Sequence, residues 1–146
     1  MTKVVLTRKG VAIAFQDQTS FAERARIGAK ARERFPMRAP IIVQRHQHSD
    51  LRRDHEDPPV EVGNGDAPRP YMKLLVPLDM HMGALQFLIR RRLRMSPTRA
   101  LFFFVHNDGN YHLVHGGMRI SDVYGTHAAD DALLYIVYAF ESTFGG

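Results

Sequence analysis

The sequence feature that most constrains the fold is a run of eight consecutive apolar residues at positions 133–140, close to the C-terminus. The run is shorter than a typical globular helix and is rich in aromatic and β-branched residues, which favour strands. Because no polar residues alternate with the apolar ones, both faces of such a strand must be covered by other parts of the protein. We therefore predict that residues 133–140 form a central strand of a sheet.

The tail after this run has a different character. A polar connector and one aromatic residue, Phe144, lead into Gly145 and Gly146. Glycine has no side chain that could pack, and terminal residues are ordered only where other contacts hold them. We expect residues 141–146 to present a flexible carboxylate, which suits either a frayed terminus or a functional tail.

The composition excludes several kinds of chemistry. A chain of 146 residues with 45% hydrophobic content is long enough for one domain with its own core. It contains no cysteine, which excludes disulfides, cysteine–metal sites and a thiol nucleophile of its own. The net charge of +5 favours acidic partners: a nucleic acid, an anionic membrane or an acidic peptide. No membrane-spanning run or signal peptide is recognisable, so we expect a cytosolic protein.

The N-terminal part divides at Ser20. Residues 1–19 hold two apolar patches separated by a basic one, which suits a short hairpin or a loose arm. Ser20 and Glu23 have the spacing of a capping box, and the helix formers that follow run to Arg34 before Pro36 stops them. We predict a helix here whose small central residues let it lie close to the element it covers.

Two strands and a loop are predicted next. Residues 41–43 form a short apolar strand, which we place beside the last strand. Residues 46–70 are polar and rich in proline and glycine, so we predict an exposed, flexible insertion there. Tyr71–Pro77 is a second strand, in which Lys73 and Pro77 suit an edge position.

The remaining elements complete a recognisable fold class. Residues 83–94 have apolar residues at helical spacing, Leu85, Leu88, Ile89 and Leu93, and we predict a helix that packs on the sheet. Residues 101–105 form a strand, a turn follows at 107–110, and residues 111–114 return. Residues 121–124 suggest a helical turn before the closing strand.

This order of elements predicts an α+β, ubiquitin-like β-grasp with an N-terminal helical region. Its sheet would be mixed and about four-stranded, with a helix crossing one face. The domain divides into an arm at 1–19, a ubiquitin-like domain at 20–140 with the insertion at about 46–70, and a tail at 141–146.

No pattern predicts an enzyme, a metal site or a cofactor. The basic residues at 90–94 could bind phosphates, although a solvated helix face or peptide and membrane contacts explain them better. His46, His48 and His55 lack metal-ligand spacing and are predicted to be surface histidines. Asp130 and Asp131 are predicted to end a loop, since no convergent carboxylate pair or catalytic triad order is present.

A resemblance follows from several motifs taken together in their order along the chain. These motifs are the helix from Phe21, then residues 35–42, Tyr71–Pro77, residues 88–93, residues 100–105, residues 134–138 and residues 141–145. The set resembles the autophagy ubiquitin-like modifiers related to GABA-receptor-associated protein and the microtubule-associated light chains. The resemblance spans residues 21–145, and the long insertion and the apolar arm depart from the family pattern.

The resemblance implies that the chain is a substrate of conjugation. It would be attached through Gly145 to phosphatidylethanolamine on the autophagosome membrane, by activating and conjugating enzymes with catalytic cysteines. A processing cysteine protease would remove Gly146 and hold Phe144, unless Gly146 is already the mature end. A sister modifier conjugated to a protein is the alternative, although Arg38-Ala39-Pro40 and Thr143-Phe144-Gly145 resemble the lipid-conjugated branch more.

The resemblance also implies a groove at the Tyr71–Pro77 edge for cargo receptors with an aromatic-x-x-aliphatic motif. The aromatic pocket would comprise Ile27, Ala31, Pro40, Leu75 and Leu133. The aliphatic pocket would comprise Leu74, Val76, Pro77, Met80, Leu85 and Leu88. Ala31 and Leu133 are smaller than the family commonly uses, which predicts a roomier aromatic pocket. Arg38, Lys73 and Arg92 would contact acidic flanking residues, and no nucleic acid is expected. Alternatively, some of these residues are simply part of the core.

Overall fold

The computed structural model describes residues 14–46, 61–62, 68–69, 71–94 and 100–140. The helices in this part of the chain are α1 (Ala14–Gln18), α2 (Phe21–Arg34), α3 (Met82–Arg92) and α4 (Ile120–His127). The strands are β1 (Arg38–Arg45), β2 (Glu61–Val62), β3 (Pro68–Arg69), β4 (Tyr71–Pro77), β5 (Leu101–Asn107), β6 (Asn110–Leu113) and β7 (Leu134–Phe140).

The main sheet confirms the predicted position of the last strand. Its order is β4-β1-β7-β5-β6, so β7 lies at the centre and β4 at one edge. β1 and β7 are parallel, whereas the other neighbours in this sheet are antiparallel. The described residues give this sheet five strands instead of the predicted four or so, because the short return strand β6 pairs with β5. A separate pair, β2 with β3, falls inside the predicted insertion.

The sheet carries a hydrophobic cluster on each face, because successive side chains of a strand point to opposite faces. On one face, β1 and β7 contribute Ile41, Val43, Leu134 and Ile136 to a large cluster with α3 and α4. On the other face, Ile42, Leu133 and Tyr135 join Phe15 of α1, and Ile27 of α2 packs against them. Both faces of β7 are therefore buried, which explains its uninterrupted apolar run.

Helix α2 begins and ends where the sequence predicts. The backbone N–H of Glu23 donates to Ser20 Oγ at 3.1 Å, so Ser20 is the N-cap, a contact of about 1 kcal/mol. The structure also shows why α2 can lie close to the element it covers. A Cβ added to Gly28 would lie 2.1 Å from the carbonyl oxygen of Asp131. Any side chain at Gly28 would push α2 away from the segment that leads into β7.

Helix α1 corrects the prediction of a hairpin or a loose arm for its part of the chain. Phe15 is buried, and its ring meets that of Tyr71 edge-on at a centroid distance of 5.1 Å. The backbone N–H of Phe15 donates to Gln44 Oε1 at 3.1 Å, and Thr19 Oγ1 donates to the carbonyl of Phe15 at 2.6 Å. One aromatic anchor and the hydrogen bond to Gln44 thus hold this helix on the sheet, whereas the Thr19 hydrogen bond closes the end of the helix itself. Residues 1–13 lie outside the described part.

Two local predictions are refined near the second half of the sheet. Asp108 and Gly109 both have positive φ, 52° and 78°, which is the signature of a tight hairpin turn between β5 and β6. α4 is longer than the predicted helical turn and extends to His127. Leu85 and Ile89 of α3 and its C-cap residue Leu93 are buried as predicted, but Leu88 is 43% exposed and does not pack into the core.

None of the described helices is both long enough and apolar enough to cross a bilayer.

Candidate functional site

A groove lies beside β4, the strand at the end of the main sheet. β4 pairs with β1 along one side only, and on the α3 side the surface opens into a cavity of about 530 Å³. We call this cavity the groove. It is lined by Arg38, Leu74, Leu75, Val76, Pro77, Met80, Leu85, Leu88, Ile89, Arg91 and Arg92. All six residues predicted for the aliphatic pocket are among them.

The groove has a buried floor and an exposed rim. Leu85, Ile89 and Val76 belong to the hydrophobic core and form its floor. Leu75 and Leu88 are exposed and form its apolar rim. A concave apolar surface of this kind suits an aliphatic side chain, whose full burial contributes about 1.5–3 kcal/mol.

Backbone hydrogen bonds hold the two walls of the groove. β4 is fixed by its full antiparallel register with β1, from Arg38 opposite Pro77 to Gln44 opposite Tyr71. The N-terminus of α3 is fixed because Met82 N donates to the carbonyl of Met118 at 2.7 Å, and Gly83 N donates to the carbonyl of Gly116 at 3.0 Å. Backbone pairing thus fixes β4 relative to β1 and the start of α3 relative to residues 116–118.

The rim of the groove is positively charged. Arg38, Arg91 and Arg92 line it, and all three are exposed. Arg38 Nη1 donates to the carbonyl of Leu75 at 3.2 Å, which holds its guanidinium at the mouth. Lys73 is also exposed on β4 but is not among the lining residues. Such a rim favours ligands with carboxylates beside an apolar anchor.

The opposite face of the sheet holds a buried polar cluster that the sequence did not reveal. The Asp131 side chain is 2% exposed and accepts hydrogen bonds from Arg24 Nε at 3.1 Å, Tyr135 Oη at 2.6 Å and Leu133 N at 2.9 Å. Burial and the hydrogen bond to Asp131 both raise the pKa of Tyr135. We call Arg24, Asp131 and Tyr135 the clamp, because they fix α2 to the start of β7.

The prediction that Asp131 only ends a loop is therefore incomplete. Its two side-chain partners lie 107 and 4 residues away along the chain. The only available signals were an aspartate next to the apolar run and an arginine within α2. Neither of them specifies the other as a partner.

The histidine prediction is wrong for His46. Its ring is buried and packs edge-on against Tyr111 at a centroid distance of 5.3 Å, because Tyr111 reaches over the sheet from β6. His48 and His55 lie outside the described residues. Within the described part of the chain, no three histidine, aspartate or glutamate side chains are grouped so that they could hold a metal ion.

Comparisons with known proteins identify the family. The family model for the autophagy protein Atg8, ubiquitin-like, matches residues 68–145. The chain is 32% identical over 132 residues to autophagy-related protein 8h of Arabidopsis thaliana, which is 90% of this chain and 95% of that relative. The chain belongs to the Atg8 family. It is also 31% identical over 131 residues to autophagy-related protein 8 of Schizosaccharomyces pombe, covering 90% of this chain and 93% of the relative.

A solved structure agrees with this assignment. The crystal structure of Trypanosoma brucei ATG8 matches with a TM-score of 0.66 at 28% identity, covering 90% of this chain and 97% of that one. The predicted ubiquitin-like fold with an N-terminal helical region is thereby confirmed. This chain is an autophagy ubiquitin-like protein of the Atg8 family.

The residues predicted for the aromatic pocket of this Atg8 protein are divided by the structure. Pro40 is buried in β1 directly opposite Leu75 of β4, which also lines the groove. Leu133 is buried, and Ile27 packs against its cluster. Ala31 lies half-buried on α2. That these five residues together form a pocket stays a prediction.

The predicted conjugation tail of this Atg8 protein lies beyond the described residues. β7 ends at Phe140, opposite Leu101 at the start of β5. Phe144, Gly145 and Gly146 follow this point. Their role in conjugation remains a prediction.

Proposed function

We propose that this Atg8-family protein is conjugated through its C-terminal glycine to phosphatidylethanolamine on autophagosomal membranes. There it recruits cargo receptors and adaptors that carry an aromatic-x-x-aliphatic motif. The observation that carries the proposal is the groove: a cavity of about 530 Å³ beside an edge strand, lined by all six residues expected to receive the aliphatic side chain.

The edge of β4 supports binding of an extended peptide. β4 lies at the end of the sheet, so its outer backbone N–H and C=O groups can pair with an added strand. Main-chain hydrogen bonds of this kind contribute affinity for many peptides. Specificity then comes from the pockets that receive individual side chains.

The spacing of the motif fits the two faces of the sheet. In an extended peptide, side chains three positions apart point to opposite faces. The aliphatic pocket contains Leu74 and Val76, which pack on the α3 face. The proposed aromatic pocket contains Ile27 and Leu133, which pack on the α2 face. A motif with two residues between its anchors can therefore reach both sites at once.

The charge of the rim selects among such peptides. Arg38 and Arg92 line the groove, and Lys73 is exposed on the same strand. Acidic residues that flank the motif would lie near these cations. Exposed pairs of this type add specificity and speed of association, and salt weakens them.

Membrane attachment would be the task of the tail. Because the chain contains no cysteine, it can supply only the acyl half of a thioester, through its C-terminal carboxyl group, and the catalytic thiols must belong to the activating enzyme, the conjugating enzyme and the processing protease. Two acyl chains give stable anchoring, since each buried CH₂ contributes about 0.8 kcal/mol and one chain is only marginal. The protein would be cytosolic as made and would reside on autophagosomes after lipidation.

The peptide part of the proposal is tested by titrating the ¹⁵N-labelled full chain with a peptide that carries the motif. We expect chemical-shift changes concentrated at Leu74, Val76, Leu85 and Leu88. Shifts confined to other surfaces would contradict the proposal. So would an absence of binding at 1 mM peptide, which corresponds to a binding free energy of about −4 kcal/mol.

The lipid part is tested with a matched pair, Gly145→Ala and Gly146→Ala, expressed in the native cell. If Gly145 is the mature end, only Gly145→Ala abolishes the lipid-dependent gel shift and membrane fractionation; if Gly146 is the mature end, Gly146→Ala abolishes them. Folding should be unchanged, because both residues follow the last strand. Wild-type behaviour of both variants would rule out conjugation to lipid. A covalent protein adduct of the wild type would instead support the protein-conjugated alternative.

A further inference from the structure

A second cavity adjoins the groove at the end of β4. It has a volume of about 450 Å³ and shares Arg38 and Pro77 with the groove. Its other lining residues are Met37, Leu78, Asp79, Arg119 and Ser121. We call it the end cavity. The proposed two-anchor motif does not use it.

The walls of the end cavity are held by backbone hydrogen bonds. Leu78 N donates to the carbonyl of Met37 at 3.0 Å, and Ser121 N donates to the carbonyl of Leu78 at 2.9 Å. The segment before β1, the segment after β4 and the start of α4 are thereby joined. These backbone groups satisfy one another, so a ligand in the end cavity would be recognised mainly by side chains.

The side chains offer both apolar contact and positive charge. Met37 is 73% exposed, an unusual position for a large apolar side chain that borders a cavity, and Leu78 is half-buried beside it. Arg38 and Arg119 face one carboxylate, Asp79, so the lining carries a net positive charge. In the described part of the chain, the Arg119 guanidinium has no hydrogen-bond or ion-pair partner.

We propose that the end cavity binds the residues that directly follow the aliphatic anchor of the same peptide, and that it selects an acidic residue together with an apolar one. This inference rests on the function proposed above. The direction follows from the motif, whose aromatic residue comes first. Pro77 and Met80 of the aliphatic pocket lie at the end of β4, so the chain after the aliphatic anchor leaves the groove beside the shared residues Arg38 and Pro77.

The lining favours a peptide over a small anion. Met37 and Leu78 supply apolar contacts that an inorganic phosphate cannot use, and Asp79 would repel a dianion more than a single carboxylate. A carboxylate side chain can pair with the planar guanidinium of Arg119 in a bidentate manner. A neighbouring leucine or isoleucine would then cover Met37.

The test uses calorimetric titration of the full chain with three peptides. The first ends at the aliphatic anchor, the second continues with glutamates and leucine, and the third carries lysines in place of the glutamates. We expect the second peptide to bind about tenfold more tightly than the first, a gain in the range expected of close charge pairs and apolar contacts. The third peptide should bind no more tightly than the first.

Two variants and one control assign this gain to the end cavity. Arg119→Glu and Met37→Asp should each remove most of the gain of the glutamate peptide and leave the affinity for the first peptide unchanged. Arg119→Glu should also improve binding of the lysine peptide. Lys30→Glu makes the same charge change on the exposed surface of α2, away from both cavities, and should have no effect.

The outcomes separate this inference from the function on which it rests. If the first and second peptides bind the wild type equally, or if Arg119→Glu and Lys30→Glu behave alike, the end cavity is not a peptide site and the groove proposal stands. If no peptide binds, the groove proposal itself is overturned. If inorganic phosphate displaces the glutamate extension at millimolar concentration, the cavity is a general anion site and peptide selection is rejected.

Discussion

The two faces of the sheet are covered by helices in different ways. On one face, α2 and α1 lie tightly against β1 and β7, held by the clamp, by Phe15 and by the close approach at Gly28. On the other face, α3 packs through Leu85 and Ile89 but leaves a groove between itself and β4.

One small domain therefore combines a face closed by helices with a face that leaves room for a ligand. The closed face also contacts the edge strand, because Phe15 packs on Tyr71 at the start of β4. We therefore expect a division: the clamp, Phe15 and the approach at Gly28 on the α2 face govern stability, whereas the exposed rim of the groove on the α3 face, the open face, governs binding of the aliphatic anchor.

The largest effect is expected from the clamp. Asp131→Ala would remove the carboxylate shared by a mostly buried guanidinium, a tyrosine hydroxyl and a backbone N–H. The guanidinium keeps its hydrogen bonds to the Gln16 and Thr19 carbonyls but loses its counter-charge, and removing one member of a buried pair costs about 3–5 kcal/mol. Denaturant unfolding should show this loss. Asp130→Ala, a change at the exposed neighbouring residue, should stay within about 0.5 kcal/mol of wild type. Equal unfolding midpoints for the two variants would refute the role of the clamp.

A variant of the open face should show the reverse pattern. Leu88→Ala keeps a strong helix former in α3 but removes the apolar rim, so peptide affinity should fall by about 1–2 kcal/mol, or roughly five- to thirtyfold. The free energy of unfolding should change by less than about 0.5 kcal/mol, because Leu88 is exposed. Phe87→Ala is the control, since Phe87 is exposed on the same helix but does not line the groove. A large loss of stability in Leu88→Ala would break the proposed division.

A smaller effect is expected from the charged rim. Arg92→Gln should weaken binding of an acidic motif peptide by about 0.5–1 kcal/mol at low salt, because the exposed guanidinium gains only a screened attraction. The difference from wild type should shrink as salt rises. Arg94→Gln removes an exposed charge from the same end of α3 but outside the groove lining, and should change little. A loss that is identical for both variants would indicate a diffuse charge effect instead of a contact.

The smallest effect concerns pH and lies away from both the clamp and the groove. Burial lowers the pKa of His106, outweighing the nearby Asp108, which raises it. Because burial disfavours the charged imidazolium in the folded state, the stability that His106 contributes is present above the unfolded pKa near 6.5 and is lost as pH falls through the lower, folded pKa. The unfolding midpoint of wild type should therefore drop more between pH 7 and pH 5 than that of His106→Gln. Peptide affinity should not follow this change, since His106 does not line the groove. If the unfolding midpoints of wild type and His106→Gln fall equally with pH, the pH-dependent loss of stability does not come from His106.

Much of the fold was predictable because its signals are local. The apolar run that became β7, the Ser20 cap with Glu23 three residues later, and the turn at Asp108 and Gly109 each depend on residues close together in sequence. Pro77 and Lys73 likewise marked the edge strand correctly. The residues of the aliphatic pocket were predicted through resemblance to a family, because periodicity alone only places Leu85 and Leu88 on the same helix face.

Local signals were therefore sufficient to predict most of the elements, their order and the fold class, because helix caps, turns and apolar periodicity act over a few residues. Packing in the folded protein determines that Leu85 lies in the floor of the groove and Leu88 on its rim, that Asp131 contacts Arg24 across 107 residues, and that the ring of Tyr111 packs on His46. These outcomes depend on which surfaces meet after the sheet assembles. The burial of a side chain and its contact with a residue distant in sequence depend on how the elements pack, and no local pattern encodes either of them.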